Sequence, residues 1–165
     1  MSYIPHADPA ALRVRDIAQW AVITQNLLQL GSVHEPPVPT NLISIFDPGS
    51  RVIIQQRPLQ PGLHGELARD DLGWVIVLDG RAHPLVQRFA VFHEGFHIIQ
   101  RVRRLAVEED WRYRERLANG FARRLLVPRR MLEEKLRKVT DLGQLCHIFQ
   151  VARTLMQERL KELGR

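Results

Sequence analysis

Residues 84–106 read PLVQRFAVFHEGFHIIQRVRRLA, and this stretch decides the fold. Leu85, Phe89, Phe92, Phe96 and Ile99 recur at spacings of three and four, the period of an amphipathic helix. Pro84 suits a first helical turn, where its missing N–H would have no intrahelical partner. Inside the helix lies His93-Glu94-Gly95-Phe96-His97, a His-Glu-x-x-His pattern. Histidines four residues apart stand one turn above the other on the same face, close enough to share an ion. Imidazole suits zinc, and a Glu beside the ligands can take a proton from the attacking water. The pattern points to metal-assisted hydrolysis, most often of a peptide bond. Gly95 costs about 1 kcal/mol relative to Ala in a helix interior. Its expected role is to admit a closely packed neighbouring strand.

A catalytic zinc keeps three protein ligands and leaves a fourth position for water. The downstream candidates for the third ligand are Glu108, Glu109, Asp110, Glu115, Asp141 and His147. Glu108 to Asp110 also suit a helix start, where acidic side chains complement the helix dipole. Glu115 precedes Asn119 by one helical turn, so both share a face. A Glu ligand with an amide one turn on could bind the metal and orient a ligand histidine. The competing role for Glu115 is a surface pair with Arg112 or Arg116. The spacing favours the ligand.

The chain of 165 residues is long enough for one domain with a real core, and its 45% apolar content is ordinary for a globular protein. No apolar run of about 18 residues reads as a membrane span, and no signal peptide is read at the N-terminus. A single cysteine, Cys146, excludes an internal disulfide and fits a reducing cytoplasm, where it serves as a small core residue. The net charge of +6 is uneven: −2 over residues 1–100 and +7 over residues 101–138. A basic segment can attract nucleic acid or an acidic partner. Here the arginines alternate with Leu, Val and Glu, which favours the solvated face of Arg-rich helices.

Along the chain, residues 10–30 read as a helix with Leu12, Ile17, Ala21, Thr24 and Leu28 on its inner stripe and Gly31 at its end. The segment Glu35-Pro36-Pro37-Val38-Pro39 breaks it and leads to a short helix or turn near Leu42 to Phe46. Asp47-Pro48-Gly49 is a turn, Arg51 to Gln56 a strand, Pro58 to Gly65 a loop, and Trp74 to Leu78 (WVIVL) the clearest strand. After the motif helix come helices near 109–126, 129–138, 141–149 and 154–163. The sum is α+β, a small β-sheet beside a helical bundle. WVIVL could offer a strand edge to an extended peptide, or serve as a buried core strand.

Four segments resemble the ImmA/IrrE family of metallopeptidases: GLHGELARDDLGWVIVLDG at 62–80, QRFAVFHEGFHII at 87–99, ERLANGFARRLLVP at 115–128, and FQVARTLMQERLKELG at 149–164. The resemblance implies a zincin-like metallopeptidase domain over residues 1–140, with a C-terminal helix-turn-helix-like pair over 141–165 packed on it. It implies a gluzincin-type site: His93, His97 and Glu115 as metal ligands, Glu94 as general base, and Asn119 in support. It also implies a substrate class, helix-turn-helix repressors, whose cleavage derepresses stress-response or mobile-element genes. The sequence departs from the family in carrying Phe96 before the second His, where bulk could narrow the cleft, and Leu117 where many relatives have a second acid. Val151-Ala152 replaces a Val-Ser, and Ala cannot cap a helix as Ser does. The terminal pair is therefore expected to close the core, with direct DNA binding the lesser role.

The expected metal is zinc, with manganese or another divalent ion as the alternative. His64, His83, Tyr113 and His147 are candidate oxyanion donors. Two alternatives belong to other classes: a non-catalytic DNA- or repressor-binding module with a vestigial site, and a structural metal site completed by His147 or Asp141.

Overall fold

A computed structural model describes residues 12–105 and 110–165. Residues 10 and 11 of the expected first helix, and the candidates Glu108 and Glu109, lie outside the described residues. The order is α1 (Val14–Leu30), a 3₁₀ helix (Thr40–Ile45), β1 (Arg51–Arg57), β2 (Gly65–Asp70), β3 (Gly73–Asp79), α2 (Pro84–Val102), α3 (Trp111–Leu126), α4 (Arg129–Leu136), α5 (Leu142–Phe149) and α6 (Arg153–Glu162). The class is α+β, with one small sheet against helices. No described helix is long and apolar enough to cross a membrane.

The sheet has the order β1-β3-β2. β3 runs parallel to β1, with Ile54 opposite Ile76, and antiparallel to β2, with Leu67 opposite Ile76. A strand with two neighbours and covered faces can be apolar throughout. Trp74, Ile76 and Leu78 join the main core, while Val75 and Val77 pack with Leu59, Ile53 and Leu63 on the other face. WVIVL is thus the central strand and has no free edge for a peptide.

β1 and β2 are the edge strands, and β2 starts where the expected loop at Pro58 to Gly65 ends, in residues that carry no strand signal. GELARD carries one large apolar residue, Leu67, so its side chains signal no alternation. Backbone pairing to β3 holds it in place. At the turn before β3, Gly73 has a φ of +146°, and a Cβ there would sit 2.1 Å from the Arg51 carbonyl oxygen. Only glycine fits that approach.

The inner stripe of α1 is Trp20, Ile23, Thr24 and Leu27, while Ala21 faces solvent. The expected stripe was rotated because it passed over Trp20, whose ring meets Phe96 edge-on at 6.2 Å between centroids. Phe96 also packs on Phe121 at 5.4 Å, so its bulk fills the core and does not narrow a cleft. Gly95 does admit a close neighbour, but that neighbour is the 3₁₀ helix and its C-cap. A Cβ at Gly95 would lie 2.4 Å from Ile43 Cδ1 and 2.7 Å from Phe46 Cε2. Leu145, Phe149, Val151, Leu155 and Met156 from the last two helices and their junction belong to the same core.

Candidate metal centre

α2 and α3 pack side by side and turn three ionisable side chains toward one point. His93 and His97 project from one face of α2, with ring centroids 5.4 Å apart. Glu115, only 2% exposed, projects from α3. Its Oε2 lies 3.2 Å from His93 Nε2 and its Oε1 lies 3.7 Å from His97 Nε2. Donor atoms around a tetrahedral ion with bonds of about 2.0–2.1 Å stand roughly 3.3 Å apart, so the spacing fits. One ligand atom from each of the three lies within 4.8 Å of the others.

The hydrogen bonding fits as well. Among the described residues, His97 Nε2 and both Glu115 carboxylate oxygens are buried without a hydrogen-bond partner. Three orphaned polar atoms converging in an interior are costly unless something else satisfies them. His93 Nδ1–H donates to Asn119 Oδ1 at 2.8 Å. A carbonyl oxygen only accepts, so this bond places a proton on Nδ1 and directs the ring's Nε2 at Glu115. Gln100, one turn beyond His97 on the same helix, hydrogen-bonds the His97 side chain. The sequence reading missed Gln100, although its spacing of three from His97 was a usable signal.

The other candidates are engaged elsewhere. Asp110 caps α3, accepting from the Arg112 N–H, and Asp141 caps α5, accepting from the Gln144 N–H. His147 is exposed on α5. Among the described residues, no fourth protein ligand joins the three, and Glu115 forms no ion pair with Arg112 or Arg116. Of the proposed oxyanion donors, His83 caps α2 and accepts from the Leu85 N–H. The Tyr113 hydroxyl donates to Asp16 and accepts from the Arg13 N–H. His64 alone of the four lines a cavity with Glu94.

Burial dominates the electrostatics. Burial alone would lower the His93 ring, but the facing Glu115 and Glu94 carboxylates outweigh it and hold the pKa above its ordinary value. His97 is pushed down to about 4 by burial and by the charge on His93. Burial would raise Glu115, yet the influence of His93, 3.2 Å away, and of His97 keeps it below the usual carboxylate range. Glu94 is raised, chiefly by burial. His93 and Glu115 thus favour each other's charged forms, while His97 is neutral near pH 7.

Glu94 is 3% exposed and lies under the first residue of β2. A Cβ at Gly65 would meet Glu94 Cγ at 3.2 Å and Oε1 at 3.3 Å, so glycine gives the carboxylate room. Two cavities meet at Gly65 and Glu94, one on either side. Nothing in the sequence signalled the part played by Gly65.

The basic segment is partly internal. Arg123 is buried on α3 and pairs with Glu158 and Glu162 of α6, while Arg124 and Arg159 also pair with Glu162. The expectation of a wholly solvated basic face is corrected at these positions.

No curated protein matches the chain significantly. Among solved structures, a Mycobacterium tuberculosis transcriptional regulator superposes with a TM-score of 0.67 at 17% identity, covering 92% of this chain and 49% of that one. That likeness shows a shared fold, and this chain spans about half the length of the regulator. A family model resolves the kinship further: it matches residues 50–161, from β1 to the last turn of α6, which takes in α2 and α3 entire. The chain therefore belongs to the peptidase M78 family, described as the IrrE N-terminal-like domain.

Proposed function

We propose that this chain is a metal-dependent endopeptidase whose substrate is a helix-turn-helix transcriptional repressor, cleaved to derepress stress-response or mobile-element genes. The observation that carries the catalytic part is the convergence of three buried, unpartnered donor atoms beside a carboxylate that borders two cavities. The repressor as substrate rests on the family resemblance. In this reading residues 1–140 form the peptidase domain and 141–165 a helical pair packed on it. The protein works in the cytoplasm.

His93, His97 and Glu115 would hold a divalent ion, with zinc favoured by the ligand set and manganese the alternative. Such an ion, when bound, supplies Lewis-acid polarisation of the scissile carbonyl and makes the attacking water more acidic. Glu94 takes the proton from that water and passes it to the leaving amine nitrogen. Its raised pKa makes it a stronger proton acceptor than an ordinary carboxylate, which suits the first half of the transfer. Asn119 holds His93 in the required tautomer. β2, an edge strand, offers backbone groups to an extended substrate.

The test is metal content and cleavage measured together. Glu94→Gln is expected to keep the metal and the fold while abolishing hydrolysis, and Glu115→Ala to lose the metal. A wild-type protein that takes up no metal would overturn the reading. Full biological activity in Glu94→Gln would instead favour a binding module.

A further inference from the structure

The two cavities beside Glu94 differ in chemistry. One, of about 130 Å³, is lined by His64, Phe89, Glu94, Ala152, Thr154 and Leu155 among others, and its walls are mostly apolar. An apolar cavity of roughly 150 Å³ accommodates benzene, so this one suits a side chain the size of Leu or Phe. Its outer wall is the junction between α5 and α6, a segment remote in sequence from the metal centre.

The other cavity is larger, about 440 Å³, and lies along β2. Glu66, Gln100, Arg101 and Arg114 line it. Glu66 pairs with Arg57 at 3.2 Å, which compensates its charge. Neither Arg101 nor Arg114 makes an ion pair among the described residues, and Arg101 rests over the Trp74 ring at 5.5 Å. Glu94 borders this cavity too, so the surplus positive charge is local to Arg101 and Arg114, where an acidic side chain finds its complement.

We propose that the cleft across Glu94 is a bipartite groove for an extended peptide, with a bulky apolar side chain held between Phe89 and the α5–α6 junction and an acidic side chain at Arg114 and Arg101. The proposal rests on the peptidase reading and names the substrate class of that same site. Residues 65–68 of β2 span roughly 10 Å as a strand, so the acidic residue lies about three positions from the apolar one. The α5–α6 junction then acts as a specificity element, in addition to its part in the core.

The probe is a random decapeptide library, incubated with zinc-loaded Glu94→Gln protein and sequenced after capture. Binding is read without hydrolysis. The expected result is enrichment of Leu or Phe with Asp or Glu about three positions away. Full burial of a Leu or Phe side chain corresponds to roughly tenfold or more in affinity. Ala152→Trp, which fills the apolar cavity, should remove the Leu/Phe preference and leave the acidic one. Arg114→Glu, at a half-buried position of α3, should turn the acidic preference toward Lys and Arg and leave the apolar one. Circular dichroism checks that each variant is folded. No enrichment, or enrichment that neither folded variant alters, would overturn the groove. Enrichment with no cleavage of the enriched peptides by wild type would retain the groove and overturn the peptidase reading.

Discussion

Replacing Asn119 with Ala tests the tautomer argument most directly. Asn119 is 4% exposed, and its Oδ1 is the acceptor for His93 Nδ1–H at 2.8 Å. Removing the acceptor leaves a buried N–H unpaired, at a cost of about 1–3 kcal/mol. In the metal-free protein the truncated side chain leaves space in which the ring can turn and relieve part of that cost. A metal-bound His93 has no such freedom, because its Nε2 must stay on the ion. The penalty therefore falls mostly on metal affinity, which should weaken roughly 10- to 100-fold. Asn119→Asp keeps an acceptor at the same reach and should retain most of the affinity. Competition against a chromophoric zinc chelator measures both, with thermal unfolding of the metal-free proteins as the control for folding. If Asn119→Ala binds zinc as tightly as wild type, the bond does not orient the ligand and the argument fails.

Three further outcomes follow from the same geometry. Gly65→Ala places a methyl 3.2 Å from Glu94 Cγ and 3.3 Å from its Oε1. The carboxylate must shift slightly, so kcat/KM should fall about tenfold while metal content and melting temperature stay at wild-type values, as peptide hydrolysis and calorimetry would read. Gly95→Ala gains about 1 kcal/mol of helix propensity but drives a methyl to 2.4 Å from Ile43 Cδ1 and 2.7 Å from Phe46 Cε2. Overpacking of this kind costs about 1–3 kcal/mol, so the overlap wins and urea denaturation should show net destabilisation; a stabilised variant would mean that the 3₁₀ helix yields freely. Metal uptake should also release protons. The raised pKa of His93 extends its protonated form to higher pH in the metal-free protein, while His97 at about 4 and the depressed Glu115 are already deprotonated near neutrality. Affinity should rise with pH up to the His93 pKa and then level off, with about one proton released per ion below it. Calorimetric titration in buffers of different ionisation heat reads this directly, and zero release would contradict the His93–Glu115 charge assignment.

Much of the site was legible because its information is local. The spacing of four between His93 and His97, and again between Glu115 and Asn119, places each pair on one helical face whatever the rest of the chain does. The apolar run at Trp74 to Leu78 marks a strand for a similar reason, since a strand covered on both faces needs apolar side chains throughout. What stayed hidden depends on contacts between distant segments. β2 is held by its ladder to β3, and GELARD advertises nothing. The role of Gly65 exists only because Glu94 passes beneath it. The partner of Gly95 was expected to be a strand because the residue's smallness signals a close approach without identifying what approaches.

The basic segment shows how a windowed charge count misleads. Arg123 contributes to the excess over residues 101–138, yet its guanidinium is buried and its partners, Glu158 and Glu162, lie more than thirty residues downstream. Glu162 also receives Arg159, whose Nε–H donates to the Val127 carbonyl oxygen at 3.0 Å. These groups tie α6 to the C-terminal end of α3, the helix that carries Glu115 and Asn119. Buried ion pairs contribute little net stability when compared with apolar residues of the same size, but losing one partner costs about 3–5 kcal/mol, because the other charge is stranded. The cluster therefore works as a register lock. It penalises displacement of α6 more than it stabilises the fold. A fixed α6 in turn keeps Thr154 and Leu155 at the wall of the apolar cavity, one side of the cleft that Glu94 borders. At these positions the charge expected on a solvated face instead holds α3 and the cleft wall in one arrangement.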